Sequence, residues 1–211
     1  MDKPETAMPR TLTPKLAKRS ITFEEFCFLI EDKQKADLID GAIHMASPDN
    51  LDANDITMWL SGLLYDFVVE RDLGKIWILR VAFRLDKANA PEPDIGFVVK
   101  SRLHLAKRGY IDGHPDAAFE VVSPESVDRD YIKKVKQYEE FGVGDYWIID
   151  EIEETVALYR LNKTGKFQQV RPKDGSFHSD VIDGFWLDPT WLWRRPLPKK
   201  TAILAKLLAA D

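Results

Sequence analysis

The 211-residue chain predicts an α/β domain in which a mixed sheet carries helices on its faces. Three observations predict it. Two short apolar runs, Ile95-Gly96-Phe97-Val98-Val99 and Ala117-Ala118-Phe119-Glu120-Val121-Val122, have the length and composition of buried strands. Ile56, Leu60, Leu63, Leu64, Phe67 and Val68 recur at helical spacing in a segment of about six turns. A hydrophobic content of 45% over this length suffices to close one core.

Residues 1–19 mix Pro4, Pro9, Pro14 and several charges without periodicity, which predicts a flexible N-terminal arm. One domain is expected over residues 20–196 and a C-terminal tail helix over 197–211. Thr22 with Glu25 three residues later forms a capping box, starting a short helix with Phe23, Phe26, Cys27 and Ile30 inward. Asp40-Gly41, between Ala36–Ile39 and Ala42–Met45, is the dipeptide of a tight hairpin turn. Asp49 or Asn50 caps the helix expected over 51–72.

Lys75 to Leu85 alternates and reads as one strand. Pro91 and Pro93 end the next loop and deliver Asp94, and residues 100–110 read as a short helix. Pro124 stops the strand bearing Glu120, and Ser126 or Asp128 starts a helix that ends near Gly142. Asp145–Asp150 is a further strand, followed by a hairpin over 155–161 and 167–170. Phe185, Trp186, Trp191 and Trp193 read as a cover over one end of the sheet. Ile203, Leu204, Leu207 and Leu208 suit packing on the body or on a second subunit.

Composition narrows the function classes. The net charge of −5 leaves no global electrostatic footprint for nucleic acid. Basic residues are grouped locally, as Lys100, Arg102, Lys107 and Arg108, and as Arg129, Lys133, Lys134 and Lys136. Cys27 is the single cysteine, so neither an intrachain disulfide nor a cysteine-rich metal cluster can form. With no apolar run of roughly 18 residues and no signal-peptide core, a soluble cytoplasmic protein with no membrane partner is expected. His44, His104, His114 and His178 lack zinc-site spacing, Ser123 lacks a glycine-rich elbow, and there is no glycine-rich phosphate loop.

The remaining chemistry lies in acids carried by apolar strands. Asp94 opens one such strand and Glu120 sits within another, where an unpaired carboxylate costs several kcal/mol, roughly, and so asks for a cation or a proton. On a helix over 127–142, Val127, Tyr131, Val135, Tyr138 and Gly142 make the inward stripe. Lys134 falls about 50° from its centre, while Lys133 and Lys136 fall at about 150°. Lys134 is therefore the lysine that looks back toward Glu120. Two readings stand side by side. Asp94, Glu120 and Lys134 could form a hard, oxygen-lined site for Mg²⁺ or Mn²⁺, in which the lysine holds or activates a water for phosphodiester hydrolysis. Alternatively, Lys134 makes a structural ion pair with Glu120 or Asp130. A carboxylate-pair glycosidase is a poorer match, because it gains nothing from the neighbouring lysine.

The run Pro93-Asp94, Phe119-Glu120-Val121-Val122-Ser123-Pro124, Asp130, Lys134, Tyr138, Gly142-Val143 and Tyr146-Trp147-Ile148-Ile149-Asp150, with Leu38-Ile39-Asp40-Gly41 upstream, resembles the Uma-two family of restriction endonucleases. That family is a branch of the PD-(D/E)XK nuclease superfamily. The resemblance covers roughly Phe23 to Asp188 and implies a restriction-endonuclease-like core. It also implies metal ligands at Asp94, Glu120 and the backbone carbonyl of Val121, with Lys134 as a displaced catalytic lysine. The superfamily's usual lysine position is Val122 here. Asp37 stands where the family commonly has a glutamate and is an additional candidate, as are Asp130 and Tyr138. No histidine occurs between Leu51 and Leu60, where the family often has one. The expectation is a Mg²⁺- or Mn²⁺-dependent endonuclease acting on nucleic acid, with DNA as substrate, working as a homodimer because two symmetric sites cut both strands of a duplex. The alternative is a catalytically silent module of the same fold that binds nucleic acid or a protein.

Overall fold

A computed structural model of the chain describes residues 19–30, 34–47 and 50–209. The expected arm, apart from Arg19, lies outside the described residues, as do Asp49 and the last two residues of the tail. Helix α1, Phe23–Leu29, starts on the capping box of Thr22 and Glu25. Its inward face is narrower than expected, since Phe23 and Phe26 are buried but Cys27 is exposed. Strands β1, Ala36–Ile39, and β2, Ala42–Met45, form the hairpin, with Asp40 and Gly41 at φ of 49° and 70°. Helix α2, Leu51–Glu70, is capped by the Asn50 side chain, which accepts from the Ala53 N–H.

The alternating stretch over 75–85 is not one strand. β3, Gly74–Ile78, ends where Leu79 and Arg80 take positive φ values of 45° and 50°, and the two-residue β4, Ala82–Phe83, continues elsewhere. Left-handed backbone cannot continue a strand, so the ladder stops there. β5, Ile95–Val99, is followed by a 3₁₀ turn over Lys100–Leu105 and by β6, Tyr110–Ile111, which pairs with β4. β7 is Ala117–Val122.

The single helix expected over 127–142 is two pieces, a π-helical segment Arg129–Lys134 and helix α3, Val135–Glu140. The wider turns put Asp130 and Lys134 on the buried side and leave Val127, read as inward, exposed. β8, Asp145–Asp150, then leads to β9, Thr155–Leu161, and β10, Phe167–Val170. A short pair, β11 (Phe177–His178) and β12 (Trp186–Leu187), precedes helix α4, Lys200–Leu208.

The central sheet has the order β10-β9-β8-β7-β5-β3, with β7 and β8 parallel and the other neighbours antiparallel. A two-residue period sends Phe119 and Val121 to the face covered by α2, where Phe185, Trp191, Ile203 and Leu207 complete the main core. The same period sends Ala118 and Val122 to the opposite face, against Tyr138 and Tyr146. Glu120 shares that second face, which puts it under the π-helical segment. No described helix is long and apolar enough to cross a membrane.

Candidate active site

The β5–β7 register fixes the two acids. Ile95 pairs with Phe119 in antiparallel fashion, so one residue further on Asp94 stands opposite Glu120 on the same face. Asp94 takes the place of a missing rung. Its Oδ2 accepts a hydrogen bond from the Val121 N–H at 2.8 Å. A strand residue's N–H and C=O point toward the same neighbouring strand, so the Val121 carbonyl is directed to the side on which Asp94 lies.

Lys134 reaches this pair from above. Its ammonium is fully buried, 2.8 Å from Glu120 Oε1, 3.1 Å from Asp37 Oδ2 and 3.7 Å from Asp130 Oδ1. The Tyr138 hydroxyl donates to the same Glu120 Oε1 at 3.2 Å. Arg129 closes the rim, 3.4 Å from Asp37 and 3.6 Å from Asp130. Thus Asp94, Glu120, Lys134, Asp37, Asp130 and Tyr138 all meet at one end of the sheet, with Val121 held against Asp94.

Lys35 completes the group, although the sequence alone does not mark it as a candidate. Its Nζ lies 2.5 Å from Asp94 Oδ1 and 3.9 Å from Glu120 Oε2. Each acid therefore has one oxygen held by the fold and the other turned toward Lys35. The available signal was strand periodicity: Lys35 stands two residues before Asp37 and shares its face. Glu92 is a second omission. Its backbone N–H donates to Asp37 Oδ1 at 2.8 Å, and its side chain accepts from the Ala36 N–H.

Asp37, Glu92, Asp94, Glu120 and Asp130 gather at this end of the sheet around the ammonium groups of Lys35 and Lys134 and the Arg129 guanidinium. Burial pushes the Glu120 carboxyl up to about 8, even with Lys134 and Lys35 beside it. Burial likewise raises Glu92 to about 7. Asp37 goes the other way, because Lys134, Lys35 and Arg129 outweigh its burial and hold it below the ordinary carboxylate range. Burial opposes the charge on Lys134, but Asp37, Glu120 and Asp130 overcome it and keep the ammonium protonated. Two buried acceptors, Asp37 Oδ2 and Asp130 Oδ1, make ion pairs but no well-formed hydrogen bond.

No three His, Cys, Asp or Glu side chains among the described residues surround one point as a ready-made cation cage. What the fold offers is two facing carboxylates with an ammonium between them.

The model of the Uma2 family, described as "Putative restriction endonuclease", matches residues 22–190. The chain belongs to the Uma2 family. A search of curated proteins finds no match. Among solved structures, the Uma2 chain is similar to "a putative nuclease belonging to DUF820 from Anabaena variabilis ATCC 29413". The TM-score is 0.67 at 20% identity, over 82% of this chain and 97% of the other. That likeness establishes the fold. In this Uma2 chain the matched span contains every residue of the cluster, from Lys35 to Tyr138.

Proposed function

We propose that this Uma2 protein is a divalent-metal-dependent endonuclease that hydrolyses phosphodiester bonds in DNA. The observation that carries the reading is the facing of Asp94 and Glu120, each with one oxygen fixed by the fold and the other directed at a shared point. Nuclease chemistry and a DNA substrate are supported by the family's description as restriction endonucleases.

The residues fit a hard cation on three counts. The donors are all oxygen, from Asp94, Glu120 and the Val121 carbonyl, the donor type that Mg²⁺ and Mn²⁺ select. Two ligand side chains are sufficient, because Mg²⁺ keeps several waters and takes phosphate oxygens as well. Burial also pushes the Glu120 carboxyl up despite Lys134 and Lys35, a cost that a further cation between Asp94 and Glu120 would offset. When bound, such an ion supplies Lewis acidity toward the phosphate and a more acidic water.

The chain's own residues then have separable tasks. Asp94 and Glu120 would hold the metal, with the Val121 carbonyl as a further ligand. Val121 N–H and the Lys134–Tyr138 pair lock the opposite oxygens, so neither carboxylate can rotate away. Lys134 acts here chiefly as a positioning residue, since its ammonium is enclosed by three carboxylates. Asp37 and Asp130 keep that ammonium charged and centred. A homodimer would present two such sites to the two strands of a duplex.

One observation favours the second reading, a catalytically silent nuclease-fold module. Lys35 already supplies a positive charge to Asp94 and Glu120. Incubating purified protein and its Asp94→Ala and Glu120→Ala variants with plasmid DNA and Mg²⁺ separates the two. The nuclease reading expects cleavage by the wild type and loss of it in both variants. Undiminished cleavage in both overturns the assignment of Asp94 and Glu120, and no cleavage by the wild type under any divalent ion selects the silent module.

A further inference from the structure

Lys35 differs from Lys134 in its burial and in the number of carboxylates it touches. Lys134 is fully buried and touches three carboxylates, whereas the Lys35 side chain is 18% exposed. The Lys35 backbone is pinned, because its carbonyl accepts from the Ala46 N–H at 2.9 Å and the next N–H, of Ala36, donates to Glu92. A lysine stem has four rotatable bonds, so the tip can change place while the Cα stays where it is. Its tip covers Asp94 Oδ1 and Glu120 Oε2, the two oxygens not engaged by Val121, Lys134 or Tyr138.

We propose that Lys35 is a tethered cation: its ammonium holds the gap between Asp94 and Glu120 in the metal-free protein, and a divalent ion must displace it to bind. The proposal rests on the metal-dependent reading above. One ammonium and one divalent ion cannot share the same pair of oxygens, since both demand their lone pairs and the two cations repel at such distances. Lys35 therefore stabilises the apo site against its own negative charge and lowers metal affinity by the fraction of time it is seated. A lysine seated nine-tenths of the time or more weakens apparent affinity about tenfold or more. The Uma2 protein then becomes active above a threshold of divalent ion set by one side chain.

The test is Mn²⁺ binding to the full chain without nucleic acid, read by the electron paramagnetic resonance of free Mn²⁺ and by calorimetry. Wild type is compared with Lys35→Met, which keeps the stem and removes the charge, and with Lys35→Gln should the first fail to fold. Expected is binding about tenfold tighter or better than wild type. The variant should also melt below wild type in chelator and gain more than wild type from added Mn²⁺. Equal or weaker Mn²⁺ binding by a folded variant, with the wild type binding normally, overturns the Lys35 proposal and leaves the metal site standing. No Mn²⁺ binding by either protein overturns both.

Discussion

Asp94 faces Glu120 across the β5–β7 pair, one residue beyond the last rung formed by Ile95 and Phe119. Asp94 lies just ahead of β5, so its side chain caps the Val121 N–H that the sheet would otherwise leave open. Asp94→Asn keeps an acceptor for that N–H but lowers the charge offered to a cation. Its melting temperature should stay within a few degrees of wild type while DNA cleavage with Mg²⁺ falls at least about 100-fold. Equal loss of fold and activity would reduce Asp94 to a structural cap.

Lys134 is the cation on which the buried acids depend. Lys134→Met leaves Asp37, Glu120 and Asp130 short of a partner and should cost about 3–5 kcal/mol, a drop of roughly 10 °C in melting temperature. Lys133→Met, on the exposed side of the same segment, should stay within about 0.5 kcal/mol of wild type. Calorimetric melts of the two variants decide it.

Tyr138 holds Glu120 Oε1 with its hydroxyl while its ring packs 4.8 Å from that of Tyr146. Tyr138→Phe keeps the packing and removes only the hydrogen bond. About 1 kcal/mol of stability and about tenfold in cleavage rate should be lost, measured by denaturant unfolding and plasmid nicking. An unchanged rate would separate Tyr138 from the orientation of Glu120.

Glu92 gives the protein a pH signature. Burial raises its carboxyl from 4.5 to about 7, so the folded state favours the protonated form. The stability this contributes is complete below the unfolded value and is lost as pH rises through about 7. Glu92→Gln removes that dependence. The stability difference, wild type minus variant, should therefore fall between pH 4.5 and 7 by an amount on the order of 3 kcal/mol. Parallel pH profiles for the two proteins would contradict the assignment.

Local signals are legible in the sequence where one residue type has one physical use. The Thr22–Glu25 box, the Asn50 cap and the Asp40-Gly41 turn each form as their chemistry demands. The apolar stripe of α2 is buried as its period requires. Strand alternation was misleading over 75–85, because two consecutive left-handed residues, Leu79 and Arg80, are not glycines and leave no compositional mark. The π-helical turn was equally silent, since a wheel drawn at about 100° per residue assumes the α form throughout. It nevertheless points Lys134 toward the sheet, where the side chain is buried beside Glu120. Lys35 was hidden for another reason. An isolated lysine before a hairpin reads as solvated surface until the pairing of β5 with β7 reveals the carboxylates beneath it.

The central claim is that Asp94 and Glu120 share one divalent ion, and anomalous diffraction from Mn²⁺-soaked crystals tests it most directly. The predicted result is one strong peak within about 2.6 Å of an oxygen from each acid, with the Lys35 ammonium moved out of the gap. A difference map with Lys35 still seated and no peak between the two carboxylates at saturating Mn²⁺ would contradict it.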